Sequence, residues 1–211
     1  MKKYFVFVLI SFFIVGVLDI KASNPVKGKT VVIDPGHGGL DPGTVYKDIY
    51  EKDLNLNISL LLKKELEKKG VTVIMTRLGD YDISKPNARY RKKSDFDNRI
   101  KIINENADYY LSIHLNYLED FQYSGIQVFA TTSNIKDGKI VQEYLNGKLN
   151  SDKKSKIISS KIYMYQRLNK PGLLIECGFL SNTEERNKLI KEEYQYKLAK
   201  EIANALILVM S

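Results

Sequence analysis

The chain has 211 residues, of which 44% are apolar, and its formal net charge is +8. This length suits one domain of ordinary size, and the basic charge suits an anionic surrounding such as a cell wall or lipid headgroups. No signature of a nucleic-acid-binding module accompanies the charge, so we expect no nucleic-acid partner. The single cysteine, Cys177, excludes an intramolecular disulfide, and its apolar neighbours predict that it is buried.

The N-terminus has the pattern of an export signal. Lys2 and Lys3 precede an apolar run over residues 4–18, which is shorter than the roughly 20 residues that a spanning helix prefers. We therefore expect residues 1–27 to be a signal peptide or short membrane anchor followed by a linker. The protein is expected to be exported, with membrane contact only through this segment, and residues 28–211 to form one catalytic domain.

Strand and helix patterns alternate along that domain. Continuous apolar runs predict buried strands, and apolar residues spaced four apart, with cap residues, predict helices. In chain order we expect a strand over 30–34, a helix over 51–70 ending at Gly70, a strand over 71–77, a helix starting at Ser94, strands over 109–114 and 125–130, a helix around 138–149, a mixed segment with Tyr163 and Tyr165, a strand over 172–178, and a helical C-terminus broken near Glu192. This alternation predicts an α/β fold with a mainly parallel twisted sheet of about six strands and helices on both faces.

Four side chains that can bind a metal ion or transfer protons lie near the ends of these strands or at the start of the first long helix. His37 and His114, the two histidines of the chain, follow the first strand and end the third, while Glu51 opens the first long helix and Glu176 lies near the end of a later strand. The working loops of such sheets leave the carboxyl ends of the strands. We therefore expect the four side chains to converge at one edge of the sheet.

Two histidines and one carboxylate are a sufficient ligand set for catalytic zinc. Such a site keeps one position for water, whose pKa zinc lowers to about 7. A second glutamate that does not bind the metal then acts as general base. His37, Glu51 and His114 fit the ligand role, and Glu176 fits the base because its apolar neighbours raise the pKa of its carboxylate.

Other interpretations of these residues remain open at this point. A loop histidine often makes only hydrogen bonds, and an acid in the first turn of a helix is favourable without any metal. Spacing alone does not choose between Asp34, Glu51 and Asp53 as the acidic ligand. Asp34 is also a candidate for orienting His37.

Four stretches resemble the zinc-dependent N-acetylmuramoyl-L-alanine amidases in order and spacing. They are "VVIDPGHGGLDPG", "EKDLNLNISLLLKKELEKKGVTVIMTR", "DFDNRIKIINENADYYLSIHLN" and "LLIECGFLSNTEERNKL". The resemblance covers nearly everything from Lys29 onward. It implies a mainly parallel sheet wrapped by helices, one Zn²⁺ ion, and hydrolysis of the amide between the muramic acid lactyl group and the L-alanine that begins the stem peptide of peptidoglycan.

The resemblance also assigns roles to residues at the matching positions. His37, Glu51 and His114 fall on the metal ligands of the family, and Glu176 falls on its catalytic glutamate. It therefore favours Glu51 over the neighbouring acids.

Further matches lie along the expected substrate groove. Asn116, Ser181 and Asn182 fall on positions that line the groove in the family. Many members read "SIHANA" at the second histidine, whereas this chain reads "SIHLNYLED", which places the bulkier Tyr117 there. We expect Tyr117 to narrow the groove or to stack on a sugar face.

The stretch "SKPNARYRKKSDFDNR" and the absence of wall-binding repeats resemble the spore-cortex amidases linked to germination. Those enzymes strip peptides from muramic acid so that a deacetylase can form muramic-δ-lactam. The chain also lacks the long helical insertion that blocks the active site in some division amidases. We therefore expect peptidoglycan as substrate, a functionally coupled deacetylase, and control by an accessory activating protein or by zinc occupancy.

Two other functions compete with this interpretation. A zinc peptidase on a similar sheet would act within the stem peptide, and only the amidase would release intact peptides beginning in L-alanine. A non-catalytic wall-binding protein would be favoured by loss of Glu176 or of a ligand residue, and all four residues are present.

Overall fold

The structure is a computed structural model that describes residues 26–149, 158–159 and 164–210. The expected export signal, apart from its last two residues, and Tyr163 lie outside the described residues. Within the described ranges, no helix is both long and apolar enough to cross a membrane. The division of the chain into an N-terminal segment and one catalytic domain stays a prediction.

The described residues form strands and helices that alternate along most of the chain. In order these are β1 (Thr30–Pro35), β2 (Val45–Tyr46), β3 (Ile49–Tyr50), α1 (Glu51–Lys68), β4 (Thr72–Met75), α2 (Arg91–Asn106), β5 (Tyr109–Asn116), β6 (Gln127–Ala130), α3 (Ile135–Leu149), β7 (Ile158–Ser159), β8 (Gly172–Phe179), α4 (Thr183–Leu189) and α5 (Glu192–Met210). Single 3₁₀ turns lie at Thr132–Asn134 and Tyr165–Arg167. The predicted break near Glu192 is confirmed by the boundary between α4 and α5.

The sheet confirms the predicted α/β fold. Its six strands have the order β4-β1-β5-β8-β6-β7, and the first four of these are mutually parallel. β6 runs antiparallel to β8 and parallel to β7. The short strands β2 and β3 form a separate hairpin directly before α1, which the sequence patterns did not predict.

Helices cover both faces of the sheet. Val31 and Ile33 of β1 pack in the larger apolar core with residues of α1, α3 and α5, whereas the intervening Val32 packs in the smaller core with residues of α2. This alternation follows from the two-residue period of a strand that is buried on both faces. The predicted burial of Cys177 is confirmed, and its side chain belongs to the larger core.

The end of α1 confirms the role predicted for Gly70. This residue has a positive φ of 81°, and its N–H donates to the Glu67 carbonyl at 2.9 Å. The next N–H, of Val71, donates to the Leu66 carbonyl at 3.2 Å. These two bonds form a Schellman motif, in which glycine tolerates the left-handed backbone that ends the helix.

The predicted start of the second helix is wrong by three residues. α2 begins at Arg91, and Ser94 lies inside it. The Ser94 hydroxyl is not a helix cap, because it accepts a hydrogen bond at 2.9 Å from the backbone N–H of Lys85 in the preceding loop.

Candidate active site

The order of the strands brings the predicted site residues together. β1, β5 and β8 are neighbours and parallel, so their carboxyl ends lie side by side at one edge of the sheet. His37 follows β1, His114 lies in β5, and Glu176 lies in β8 directly opposite His114. Glu51 reaches the same place as the first residue of α1.

Three of these side chains form a group that can hold a metal ion. The donor atoms of His37, Glu51 and His114 all lie within 4.8 Å of one another. His37 Nε2 and His114 Nδ1 lie 3.1 and 3.0 Å from the same oxygen, Glu51 Oε1. Ligands at zinc bond lengths of about 2.0–2.1 Å in a tetrahedral site are about 3.3 Å apart, so the donor set fits one zinc ion.

Glu51 is fixed by backbone groups on both sides of the site. Its Oε2 accepts from the N–H of Thr44 at 2.9 Å, and its Oε1 accepts from the N–H of Leu115 at 3.2 Å. The Asn55 amide donates to Oε1 at 3.2 Å. Burial alone would raise the pKa of Glu51, but the hydrogen bonds from the two histidines lower it well below its usual range. The side chain is therefore a charged carboxylate, as a metal ligand must be.

Two glycines leave room for the ligand side chains. A Cβ atom on Gly36 would lie 2.2 Å from Cε1 of His114, and one on Gly43 would lie 2.6 Å from Oε2 of Glu51. His37 itself has a positive φ of 63°, a conformation that is strained for a residue with a side chain. Gly36 and Gly43 thus allow the ligand side chains to lie close to the backbone of the loop, which any larger residue would prevent.

Asp41 is the carboxylate that orients His37. Its Oδ2 lies 3.1 Å from His37 Nδ1 and 3.4 Å from the Lys92 ammonium. Burial lowers the pKa of His37, but the hydrogen bonds with Glu51 and Asp41 outweigh it, and the net pKa is raised. Nδ1 is thereby held toward Asp41, which leaves Nε2 facing Glu51.

The suggestion that Asp34 is a ligand or orients His37 is wrong. Asp34 still belongs to β1, where its carboxylate accepts from the Thr76 hydroxyl at 2.6 Å, the Ser112 hydroxyl at 3.0 Å and Arg99 at 2.7 Å. These three partners take up the hydrogen-bonding capacity of the Asp34 carboxylate away from the group of donor atoms. Asp53, the other acidic alternative, is exposed and lies outside the group of donor atoms.

Two buried arginines hold the backbone of the His37 loop. Arg99 donates to the carbonyl oxygens of Pro35 at 2.8 Å and of His37 at 2.6 Å, and Arg77 donates to those of Pro35 at 3.0 Å and Gly36 at 2.9 Å. Arg77 also donates to the Lys52 carbonyl at 2.7 Å, next to Glu51. Three consecutive carbonyls are therefore fixed around the strained backbone of His37.

The charges of these two arginines are balanced differently. Arg99 pairs with Asp34 and Asp95, both at 2.7 Å; burial alone would lower the pKa of Arg99, but these carboxylates raise it. Arg77 is held by carbonyl oxygens, and burial and the nearby Arg99 charge lower its pKa to about 10. Sequence reasoning missed both residues. The available signal was the position of Arg77 just after β4 and the spacing of Asp95 and Arg99, which are four residues apart on α2.

Glu176 has the properties expected of a proton carrier. It lies opposite His114 on one side and Gln127 on the other, and its Oε2 is buried without a hydrogen-bond partner among the described residues. Burial, together with the negative charge of Glu51, raises the pKa of Glu176 to about 8. A carboxyl that titrates near neutral pH beside three candidate metal ligands is suited to general acid–base chemistry.

Comparison with known proteins decides the family. Residues 31–207 match the family model described as N-acetylmuramoyl-L-alanine amidase. The chain belongs to the N-acetylmuramoyl-L-alanine amidase family.

Known amidases resemble the chain in sequence, and solved amidase structures resemble it in fold as well. The amidase is 39% identical over 193 residues to the germination-specific N-acetylmuramoyl-L-alanine amidase of Bacillus subtilis, covering 88% of this chain and 81% of that protein. The CwlD amidase from Clostridioides difficile, solved in complex with the GerS lipoprotein, superposes with a TM-score of 0.80 at 36% identity, covering 87% of this chain and 100% of that one. A second amidase, from Clostridium difficile 630, superposes with a TM-score of 0.75 at 32% identity, covering 85% of this chain and 95% of that one.

Two of the four expected substrate contacts lie at the end of β5. In the amidase, the Asn116 amide donates to the Gln127 side chain at 3.0 Å, next to Glu176 in the sheet. Tyr117 follows and is 43% exposed. Asn116 therefore borders the site on its Glu176 side, and Tyr117 is the next residue along the chain.

The other two have their side chains occupied by the amidase itself. The buried Ser181 hydroxyl accepts from the N–H of Leu118 at 3.3 Å. The Asn182 side-chain oxygen caps α4 by accepting from the N–H groups of Glu184 and Glu185, and its amide donates to the Phe121 carbonyl at 2.9 Å. Ser181 and Asn182 thus hold the loop that follows β5.

Proposed function

We propose that the amidase hydrolyses the amide between N-acetylmuramic acid and L-alanine, using one zinc ion held by His37, Glu51 and His114. The observation that carries this proposal is the convergence of these three donor atoms within 4.8 Å, beside Glu176, whose Oε2 atom is buried. When bound, zinc would supply a water molecule that ionises near neutral pH, and the ion would also polarise the carbonyl oxygen of the amide.

The protein residues bind, orient and move protons around that centre. Glu176 takes the proton of the attacking water and gives it to the leaving nitrogen of L-alanine. Its pKa of about 8 without metal suits this exchange, because a nearby dication lowers the pKa and leaves a carboxylate ready to accept a proton at neutral pH. Asp41 keeps Nε2 of His37 on the ligand side, and Arg77 and Arg99 keep the loop in its strained conformation.

The proposed setting is the spore cortex. It is supported by the 39% identity to a germination-specific amidase and by the basic stretch over residues 84–99. The amidase would be exported through residues 1–27 and would strip peptides from muramic acid before a deacetylase forms muramic-δ-lactam. The CwlD amidase was solved with a lipoprotein, which supports an accessory partner for this chain as well.

Digestion of purified peptidoglycan tests the reaction. The full chain is incubated with peptidoglycan in the presence of zinc or of a chelator, beside Glu176→Gln, and the released peptides are identified by mass spectrometry. We expect zinc-dependent release of intact peptides beginning in L-alanine, with a loss of at least about a hundredfold in the variant. Release of peptides cut after L-alanine would instead identify a zinc peptidase, and failure to bind zinc would contradict the metal site.

A second experiment tests the setting and the partner. Cortex and vegetative peptidoglycan are digested in parallel, with and without a muramic acid deacetylase, and muropeptide analysis detects δ-lactam. We expect δ-lactam only when both enzymes act, and faster peptide release from cortex. Equal release from both substrates would contradict the cortex proposal, and full turnover by the purified chain alone would contradict the need for an accessory protein.

A further inference from the structure

The loop between β5 and β6 exposes an unusual number of large apolar side chains. We call residues 117–125 the aromatic loop. Its exposed apolar side chains are Tyr117, Leu118, Phe121 and Tyr123. Single exposed apolar residues are ordinary, but four within seven residues form a patch of the kind that marks a binding surface.

The aromatic loop is held in place along its whole length. Four separate contacts join it to residues 179–185, which follow Glu176 in the chain. They are Leu118 N–H to the Ser181 hydroxyl at 3.3 Å, the Asn182 amide to the Phe121 carbonyl at 2.9 Å, Gly125 N–H to the Glu185 carboxylate at 2.9 Å, and the Tyr123 ring stacked on Phe179 with centroids 6.1 Å apart. The loop is therefore held in a defined conformation in which its apolar side chains are exposed.

The aromatic loop is continuous with the active site. It begins three residues after His114 and ends two residues before Gln127, the residue that pairs with Glu176. A substrate whose scissile bond lies beside Glu176 therefore meets this loop on one side.

The charge of the loop selects what it can bind. Its charged residues are both acidic and exposed, Glu119 and Asp120, so it does not suit anionic groups. On the opposite side of the site, Lys92 contacts Asp41, the partner of His37, and further exposed cations lie nearby in the chain: Lys85, Arg89 and Lys93. The scissile amide joins an uncharged sugar chain to a peptide that carries carboxylates. The basic side suits the peptide, and the aromatic loop suits the sugars.

We propose that the aromatic loop binds the glycan strand of peptidoglycan, with Tyr117 and Phe121 packing against the apolar faces of sugar rings that flank the reacting muramic acid. The inference rests on the proposed function for the position of the scissile bond. Ser181, Asn182 and Glu185 are positioning residues in this arrangement, since they hold the loop that makes the contact. The long strand is thereby recognised by its sugars and the stem peptide extends toward Lys92.

Binding to glycan strands without stem peptides tests the proposal independently of catalysis. The full chain carrying Glu176→Gln is compared with versions that also carry Tyr117→Ala, Phe121→Ala or both. The probe is soluble glycan strands whose stem peptides have been removed and whose lactyl carboxyls have been capped as methylamides, so that the strands are uncharged. The matched control is Tyr196→Ala, because Tyr196 is also 43% exposed but lies on α5. We expect the double variant to raise the Kd for strands about tenfold and the control to leave it unchanged.

Kinetics with Glu176 intact provide the second measurement. The loss of kcat/KM in Tyr117→Ala and Phe121→Ala is expected to grow with the number of sugars in the substrate, and to appear in KM. Unchanged strand binding in the double variant would overturn the proposal, and unchanged strand binding with a lost response to an accessory protein would reassign the loop to protein docking. If the wild-type chain binds strands through this loop but hydrolyses nothing, the proposed function fails and the binding inference stands.

Discussion

The His37 loop and the aromatic loop border the same site but are held by opposite chemistry. In the first, buried arginine side chains donate to the carbonyl oxygens of Pro35, Gly36 and His37. In the second, the buried hydroxyl of Ser181 and the buried carboxylate of Glu185 accept from the backbone N–H groups of Leu118 and Gly125. The first loop is held by buried cations around the strained backbone of His37, whereas the second is held by buried acceptors and has no non-glycine residue with a positive φ.

This difference matches what each loop must do. A metal ligand must be placed to within about half an ångström, so strain at His37 is tolerated where buried groups enforce it. A surface that packs against sugars needs shape and exposure more than such precision. We therefore expect substitutions around the His37 loop to have much larger effects than those around the aromatic loop.

The largest effect is expected from removing the charge that holds the His37 loop. Arg99→Met leaves Asp34 and Asp95 buried without their cation, which costs roughly 3–5 kcal/mol of unfolding free energy. Urea denaturation measures this loss. Lys101→Met is the control, because Lys101 forms an exposed ion pair with Glu105 on the same helix and its loss should cost less than about 1 kcal/mol. Similar losses in both variants would contradict the importance of the buried Arg99 charge for the His37 loop.

The next effect concerns Glu176, which lies between the loops. Its folded pKa of about 8 exceeds the unfolded value of 4.5, so the folded protein binds more protons between these values. Stability of the metal-free protein should therefore fall as pH rises from 5 to 8, by about 3 kcal/mol from this group. Urea denaturation with chelator at several pH values measures this fall, and Glu176→Gln should lack it. The stabilising contribution of His37 is also lost as pH rises, but it is the same in the wild-type protein and in Glu176→Gln. An equal pH dependence of unfolding free energy in the two proteins would therefore refute the raised pKa of Glu176.

The sequence predicts the framework of the site and its four reactive residues for clear reasons. Buried parallel strands require continuous apolar runs, and the carboxyl ends of such strands share one edge of the sheet. The positions of His37, His114 and Glu176 relative to those runs therefore indicate that the three side chains converge at that edge. The choice of Glu51 over Asp34 and Asp53 came from family resemblance, because spacing carries no such information.

The features that sequence reasoning missed depend on contacts between distant segments. Arg77 and Arg99 are two of 33 basic residues, and an arginine directed at backbone carbonyls has no local pattern of its own. Asp41 could not be recognised because the loop after β1 folds back on itself, whereas Asp34 is held in the strand. Ser181 and Asn182 were matched to the groove by resemblance, but their contacts with the loop after β5 were not predicted, because that loop and residues 181–182 are about 60 residues apart in the chain.

A smaller effect should appear when the approach of the two histidine-bearing segments is disturbed. Gly36→Ala places a Cβ atom 2.2 Å from the His114 ring, which must move away from Glu51. We expect the zinc Kd, measured by competition with a chelator, to rise about tenfold or more, which corresponds to about 1.4 kcal/mol. Gly147→Ala in α3 is the control, because a Cβ atom there meets nothing within 4 Å and should slightly stabilise the helix. Unchanged zinc affinity in Gly36→Ala would show that the site adapts easily.

The smallest effect separates two roles of Asn182 at the aromatic loop. Its oxygen caps α4, and its amide donates to the Phe121 carbonyl. Asn182→Ala removes both and should cost about 1 kcal/mol of unfolding free energy. Asn182→Asp keeps the cap but replaces the amide donor by a charged acceptor that faces the Phe121 carbonyl. If the hydrogen bond from Asn182 to Phe121 is needed to hold the aromatic loop, Asn182→Asp should weaken binding of peptide-free glycan strands. It should still unfold near the wild-type urea midpoint. Wild-type strand binding in Asn182→Asp would instead show that the other three contacts suffice to hold the loop, and that its fixed exposure does not depend on any one of them.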